Sequence, residues 1–283
     1  MNAVTTIVTY GLQEALRRRV FAVVLALTVA FLVLFWIANR YVFHHISGVV
    51  PPEGIDARTF AAAFIFGMAI FGTLFLGVVL AVFLTLGVVR GDAERGLLQP
   101  LVVRPVGRSV LLGARFLGAV AVCVPYVLIV YFAAMLITGL TGHWWPDRIV
   151  TPAIEIAGAV VIVAALSLLG SVFLSTIANG IAIFMLFGAG LVAGLLGSVG
   201  HALNSHGLIR AAKIAAWAMP YEALYQDALR GITASTSGLT GFLLRLGPFG
   251  GAENGGASLR LWTCAYFVAV GVVTLVAFRT RDL

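Results

Sequence analysis

Glu94, Arg95, Gly96, Leu98, Arg104, Pro105 and Arg108 fall in one stretch, Arg90 to Arg108, charged at both ends and apolar in the centre. Leu97, Leu98, Leu101 and Val102 can share one helical face, while Pro100 and Pro105 limit any helix to short pieces. Such side chains do no covalent chemistry. They suit docking, with an apolar anchor flanked by groups that make charge-assisted contacts to a soluble partner. An ordinary basic loop on the inner side of a membrane would carry the same charges, and the residues alone leave both readings open.

The other reactive residue types are sparse. The five histidines are His44, His45, His143, His201 and His206. His201 and His206, with Asn204 between them, could offer two metal ligands, and histidines at a membrane–water interface would look the same; no metal site is assigned. Cys123 and Cys264 lie inside apolar runs and read as small hydrophobes rather than a disulfide framework. Ser167, Ser171 and Ser175 share roughly one helical face, which back-bonding or packing explains. His143-Trp144-Trp145-Pro146-Asp147 reads as an aromatic-belt turn. No ionisable residue sits deep in an apolar run, Glu155 standing at the mouth of one. That argues against a proton-coupled carrier, a charged filter and an intramembrane acid–base enzyme. Phe64, Phe66, Phe71, Phe75 and Phe83 line an apolar path suited to a lipid-like or amphiphilic cargo.

The elements that must position these residues are membrane spans. The chain is 61% hydrophobic and 10% charged, against about 25% charged in soluble domains. From Ile156 to Ile209 there is no Asp, Glu, Lys or Arg. A single crossing needs roughly 20 residues, so this run holds two crossings, and Asn179-Gly180 with Ser175-Thr176 predicts the turn between them. The expected fold is an all-α polytopic membrane protein, one transmembrane domain over residues 1–283. Six transmembrane helices are predicted at about Val20–Ala38, Phe60–Val89, Leu111–Gly139, Ile156–Ser175, Gly180–Gly200 and Leu261–Phe278. Residues 2–19 pattern as an amphipathic interfacial helix, with Arg17-Arg18-Arg19 ahead of a retained anchor.

Charge sets the orientation. The net charge is +7, and all but one of the 18 basic residues are arginine, Lys213 being the exception. No basic stripe is interleaved with aromatics, which excludes nucleic acid as a natural partner. Arg17–Arg19, the stretch 90–108, Arg115, Arg279 and Arg281 fall on one side. The two short loops opposite offer only Arg40, Arg58 and Arg148. Both termini are therefore expected in the cytoplasm. The segment 201–260 falls outside, and short amphipathic helices are expected there, folded against the outer membrane face. Pro220 starts one of them, with Glu222 in its first turn and Arg230-Gly231 at its end; Gly238 to Gly256 reads as loop. Pro220, Tyr221 and Glu222 are candidates for an outer gate. Gly190, Gly194 and Gly197 in span five permit close helix approach, at a dimer interface, along a pathway, or within the chain.

Glu94-x-Gly96, an apolar stretch, then Arg104-Pro105-Val106-x-Arg108 resembles E-x-G-T-L-x-x-L-L-x-x-P-V-x-R. That motif lies between spans two and three in the type-2 exporter permeases of ATP-binding-cassette (ABC) transporters, and the chain is similar to that family over nearly its whole length. Leu97 stands where the family has Thr, and Pro100 interrupts a usually continuous stretch. The resemblance implies a non-enzymatic permease subunit of an ABC exporter in the cytoplasmic membrane of a prokaryote. It would work with a second permease copy or paralogue and with separate ABC ATPase subunits. Residues 90–108 would form the cytoplasmic coupling helix. The chain has no G-x-x-x-x-G-K-[ST], so ATP and Mg belong on the partner and no cofactor is expected here. One branch of the family serves copper-enzyme maturation, which gives one alternative function; a six-span membrane enzyme or assembly factor is another.

Overall fold

The computed structural model describes residues 19–46, 54–86, 108–246 and 256–280. Among them every regular element is helical: α1 Arg19–Ile46, α2 Ala57–Thr85, α3 Arg108–Gly142, α4 Val150–Phe173, α5 Thr176–Ala202, α6 His206–Ala218, α7 Pro220–Ile232, α8 Gly238–Leu246 and α9 Gly256–Thr280. Six of these, α1 to α5 and α9, are long and apolar enough to cross a membrane. The protein is thus a multi-pass membrane protein by length and composition. Helices satisfy every backbone group internally, as a bilayer demands. At 35 residues, α3 would run about 52 Å and must tilt or project beyond the hydrocarbon. Residues 2–18 of the expected interfacial helix and the coupling stretch up to Gly107 lie outside the described residues, and Arg19 opens α1.

α2 and α4 are the central helices. Two thirds of the most apolar window of each is buried, 67%, against 17% for α1 and α9. Close approach fixes the centre: a Cβ on Gly77 of α2 would stand 2.6 Å from Val127 of α3 and 2.9 Å from Val160 of α4. Sparse polar ties join the spans. Thr28 and Tyr126 hydrogen-bond between α1 and α3, and the Thr85 hydroxyl donates to Ser167 Oγ at 2.8 Å between α2 and α4.

The chain reverses direction four residues earlier than the Asn179-Gly180 signal predicts. α4 ends at Phe173 and Leu174 is extended, with ψ 155°. The Ser175 hydroxyl then accepts from the Ala178 amide at the start of α5, the usual work of an N-cap serine. Asn179 is helical and fully buried. Its amide donates to the Ser167 carbonyl across the turn at 2.8 Å. The side chain serves the contact between two helices, so its turn propensity is overridden. Gly170 makes that contact possible, because a Cβ there would meet Asn179 Oδ1 at 2.1 Å.

One end of the bundle gathers the joins α1–α2 and α3–α4. Arg58 Nε donates to the Gly142 carbonyl at 2.8 Å, and the Asp56 amide donates to the Thr240 hydroxyl at 2.9 Å. Thr240 belongs to α8, which is a helix where the glycine content had predicted loop; Gly238, at φ +72°, supplies the left-handed residue at its start. The opposite end closes on Leu112, Leu168, Val172 and Phe278.

Candidate functional site

α6 and α7 form a helical hairpin that re-enters the bundle. Gly200 of α5 lies under the Ile209 backbone, and Gly197 lies under Ala212. The hairpin tip brings Tyr221 beside Gly190 and Glu222 beside Gly194. α6 therefore descends along α5, and α7 climbs back between the spans. Every residue of α7 except Arg230 is buried. The sequence reading laid these helices on the outer membrane face. α7 lies inside the bundle instead, where Tyr221 and Gln226 find partners, while α6 flanks α5 with only Ala212 buried. The Tyr221 hydroxyl donates to the Leu186 carbonyl at 2.6 Å, and Gln226 Nε2 donates to Glu222 Oε1 at 2.8 Å. Pro220 occupies the first turn of α7, where its missing N–H costs nothing.

The three span-five glycines thus face the hairpin of their own chain. A Cβ on Gly190 would come within 2.6 Å of the Tyr221 hydroxyl, and one on Gly194 within 2.1 Å of Glu222 Oε1. Phe187 stacks on Tyr221 with ring centroids 6.2 Å apart. Pro220, Tyr221 and Glu222 accordingly sit at the buried tip of the hairpin, in the middle of α5 rather than at a surface mouth.

Where α7 returns to the end of the bundle, charge collects. Arg260 of α9 donates from one Nη2 atom to Glu155 Oε1 of α4 at 2.8 Å and to Asp227 Oδ2 of α7 at 3.2 Å. The two carboxylate side chains are 5% and 8% exposed, the arginine 49%. The arginine offsets part of the cost of burying these two acids. The sequence placed Glu155 at a mouth but gave no sign of this trio, since its members are remote along the chain. The only local hints were two acids next to apolar runs and an arginine opening the last span. A polar cavity of about 160 Å³ adjoins the trio, lined also by Arg148, Thr151 and Arg230.

A second space is apolar. Between α1 and α2 a groove of about 750 Å³ is lined by Phe31, Phe35, Phe60, Phe64, Met68 and Phe71 among others. It takes in two of the aromatics that the sequence placed along a cargo path.

No protein-family model matches the chain, and a search of curated proteins finds no match either.

The remaining candidates are dispersed. Glu94, Arg95, Gly96, Leu98, Arg104 and Pro105 lie outside the described residues, and Arg108 is the first residue of α3. Of the serines, Ser167 receives Thr85, Ser171 back-bonds to the Leu168 carbonyl at 2.7 Å and Ser175 caps α5. His44 and His45 stack edge-on at 5.3 Å, and His143 adopts φ 49° at the end of α3. Among the described residues no three His, Cys, Asp or Glu side chains stand together as a metal site would need.

Proposed function

We propose that this chain is the permease subunit of an ATP-driven exporter of the ABC type-2 kind, moving an amphiphilic or lipid-like cargo. The observation that carries the reading is the stretch Glu94-x-Gly96 to Arg104-Pro105-Val106-x-Arg108 between the second and third of six candidate spans. Two features of the fold support it. The α1–α2 groove is apolar, open and wide enough for an acyl chain, so cargo can enter sideways from the bilayer. At that same end of the bundle α7 of the hairpin inserts among the spans beside α5.

On this reading the chain binds no nucleotide. Separate ATPase subunits dock on residues 90–108, which move the spans when ATP binds and is hydrolysed. A second permease copy or paralogue completes the pathway. Both termini face the cytoplasm, and the hairpin end faces out.

Purification of the tagged chain from its own host tests this. A chain carrying G-x-x-x-x-G-K-[ST] should accompany it in stoichiometric amount, with ATP hydrolysis in the eluate. Glu94→Ala with Arg95→Ala, or Leu98→Gly, should leave insertion intact and remove coupled transport. Loss of a charge-assisted interfacial contact costs roughly 2–5 kcal/mol, enough to release the partner. Normal ATPase binding and transport by these variants would remove residues 90–108 from the coupling role.

A further inference from the structure

The polar cavity at the hairpin end is rich in arginine. Its lining includes Arg148, Thr151, Glu155, Asp227, Arg230 and Arg260. Arg260 is occupied by the two acids. Arg148 and Arg230 remain, and among the described residues neither forms an ion pair with a carboxylate. Among the described lining residues three guanidinium groups stand against two carboxylates.

Arg148 is also held in place. Its neighbour Asp147 donates its amide to the Ile232 carbonyl at 3.2 Å and accepts from the Ser235 amide at 2.7 Å. Its other neighbour, Ile149, accepts from the Tyr131 hydroxyl at 3.1 Å. The loop is therefore bracketed to the end of α7 on one side and to α3 on the other. Arg148, exposed on that braced loop, and Arg230, half-buried in the last turn of α7, both line the cavity. Thr151 lies in the first turn of α4, which has no side-chain cap and no acid in that turn. A pinned arginine, a second arginine on a buried helix and a hydroxyl thus border one polar space. Guanidinium groups recognise tetrahedral and planar oxyanions through paired N–H bonds. At about 160 Å³ the space equals about five waters of roughly 30 Å³ each, enough for a phosphate-sized head.

We infer that this cavity is an oxyanion site, bound by Arg148 and Arg230 with Thr151, which takes a phosphate-type group either as the head of an amphiphile or as a free ion. The Glu155–Arg260–Asp227 trio lines the same cavity, with Arg260 engaging both acids. The inference does not rest on ATP coupling, because all its residues belong to this chain.

The test uses the full chain in dodecyl maltoside, a detergent without phosphate. Inorganic phosphate binding is measured by calorimetry, and retention of phosphatidic acid against diacylglycerol by native mass spectrometry. Arg148→Gln with Arg230→Gln is compared with the parent chain, and Arg148→Gln alone serves if the double variant does not fold. Phosphatidic acid retained over diacylglycerol, and at least tenfold less by the variant, identifies a lipid head as the source. Phosphate binding that weakens at least tenfold in the variant, with no preference between the lipids, identifies a free oxyanion. The inference is overturned if the parent chain binds neither, or if a folded variant binds as well as the parent.

Discussion

Single atoms decide how closely α5 and the hairpin approach. At Gly190 an added methyl would collide with the Tyr221 ring, which its hydrogen bond to the Leu186 carbonyl holds still. Two residues earlier, Gly188 has nothing within 4 Å of the same position. Gly190→Ala should therefore destabilise the protein by about 1–3 kcal/mol, the usual cost of overpacking. Gly188→Ala should be neutral or mildly stabilising, since alanine favours the helix. Unfolding midpoints in detergent compare the two, and equal effects would mean that the Tyr221 ring is not fixed. Asp56 offers a second test. Its carboxylate accepts from the Arg58 and Thr59 amides at 3.0 and 3.3 Å and caps α2. The Thr59 hydroxyl, then these amides and the Arg58 charge, hold its pKa below the ordinary 3.8. A depressed acid stabilises the fold above its unfolded pKa and loses that contribution as pH falls through the folded value. Asp56→Ala should thus cost about 1 kcal/mol near neutrality, and the gap to the parent chain should close below about pH 3.8. A gap unchanged down to pH 2.5 would show that the carboxylate does not act as the cap.

At the scale of elements the hairpin is tied to its neighbours at both ends. Its tip touches α5 through Tyr221, and its base is tied to α9 through Asp227 and Arg260. The Trp262 indole also donates to the Trp217 carbonyl at 2.8 Å. A crosslink between cysteines at Trp217 and Trp262 should block transport while ATP binding by the partner persists. Unchanged transport with the crosslink verified would reduce the hairpin to a fixed plug. The elements themselves were largely legible. Long apolar runs carry their own evidence, so the six spans were found with errors confined to their ends. Pro220, Glu222 and Arg230 marked α7 by local rules of helix start and stop. Its depth was not legible. Tyr221, Glu222 and Asp227 read as interface-facing, because the Leu186 carbonyl, the Gly194 gap and Arg260 come from elsewhere in the chain. The same limit explains Asn179, whose turn propensity lost to a bond with Ser167 across the helix pair.

For the whole molecule the open matter is orientation. The proposed orientation puts the hairpin end outside on the arginine bias, and the fold sorts suitable probe positions onto two ends. Arg58 and Asp147 are exposed at the hairpin end, and Ser175 is exposed at the other. Single cysteines at Arg58 and Asp147 should react with an impermeant thiol reagent in intact cells. Those at Ser175 and Arg95 should react only after the membrane is opened. Outside labelling at residue 95 would invert the orientation and exclude a cytoplasmic coupling role for that stretch.

The trio around Arg260 also makes this end of the bundle depend on α9. α4 and α7 bury Glu155 and Asp227, yet their shared counter-charge arrives on α9. Charged residues enter a bilayer unaccompanied only at a cost of about 2.5–3.5 kcal/mol each. Until α9 is in place, Glu155 and Asp227 lack the arginine that joins α4 to α7. Packing of α9 against α4 and α7 therefore locks three helices that are far apart in the chain at this end of the bundle.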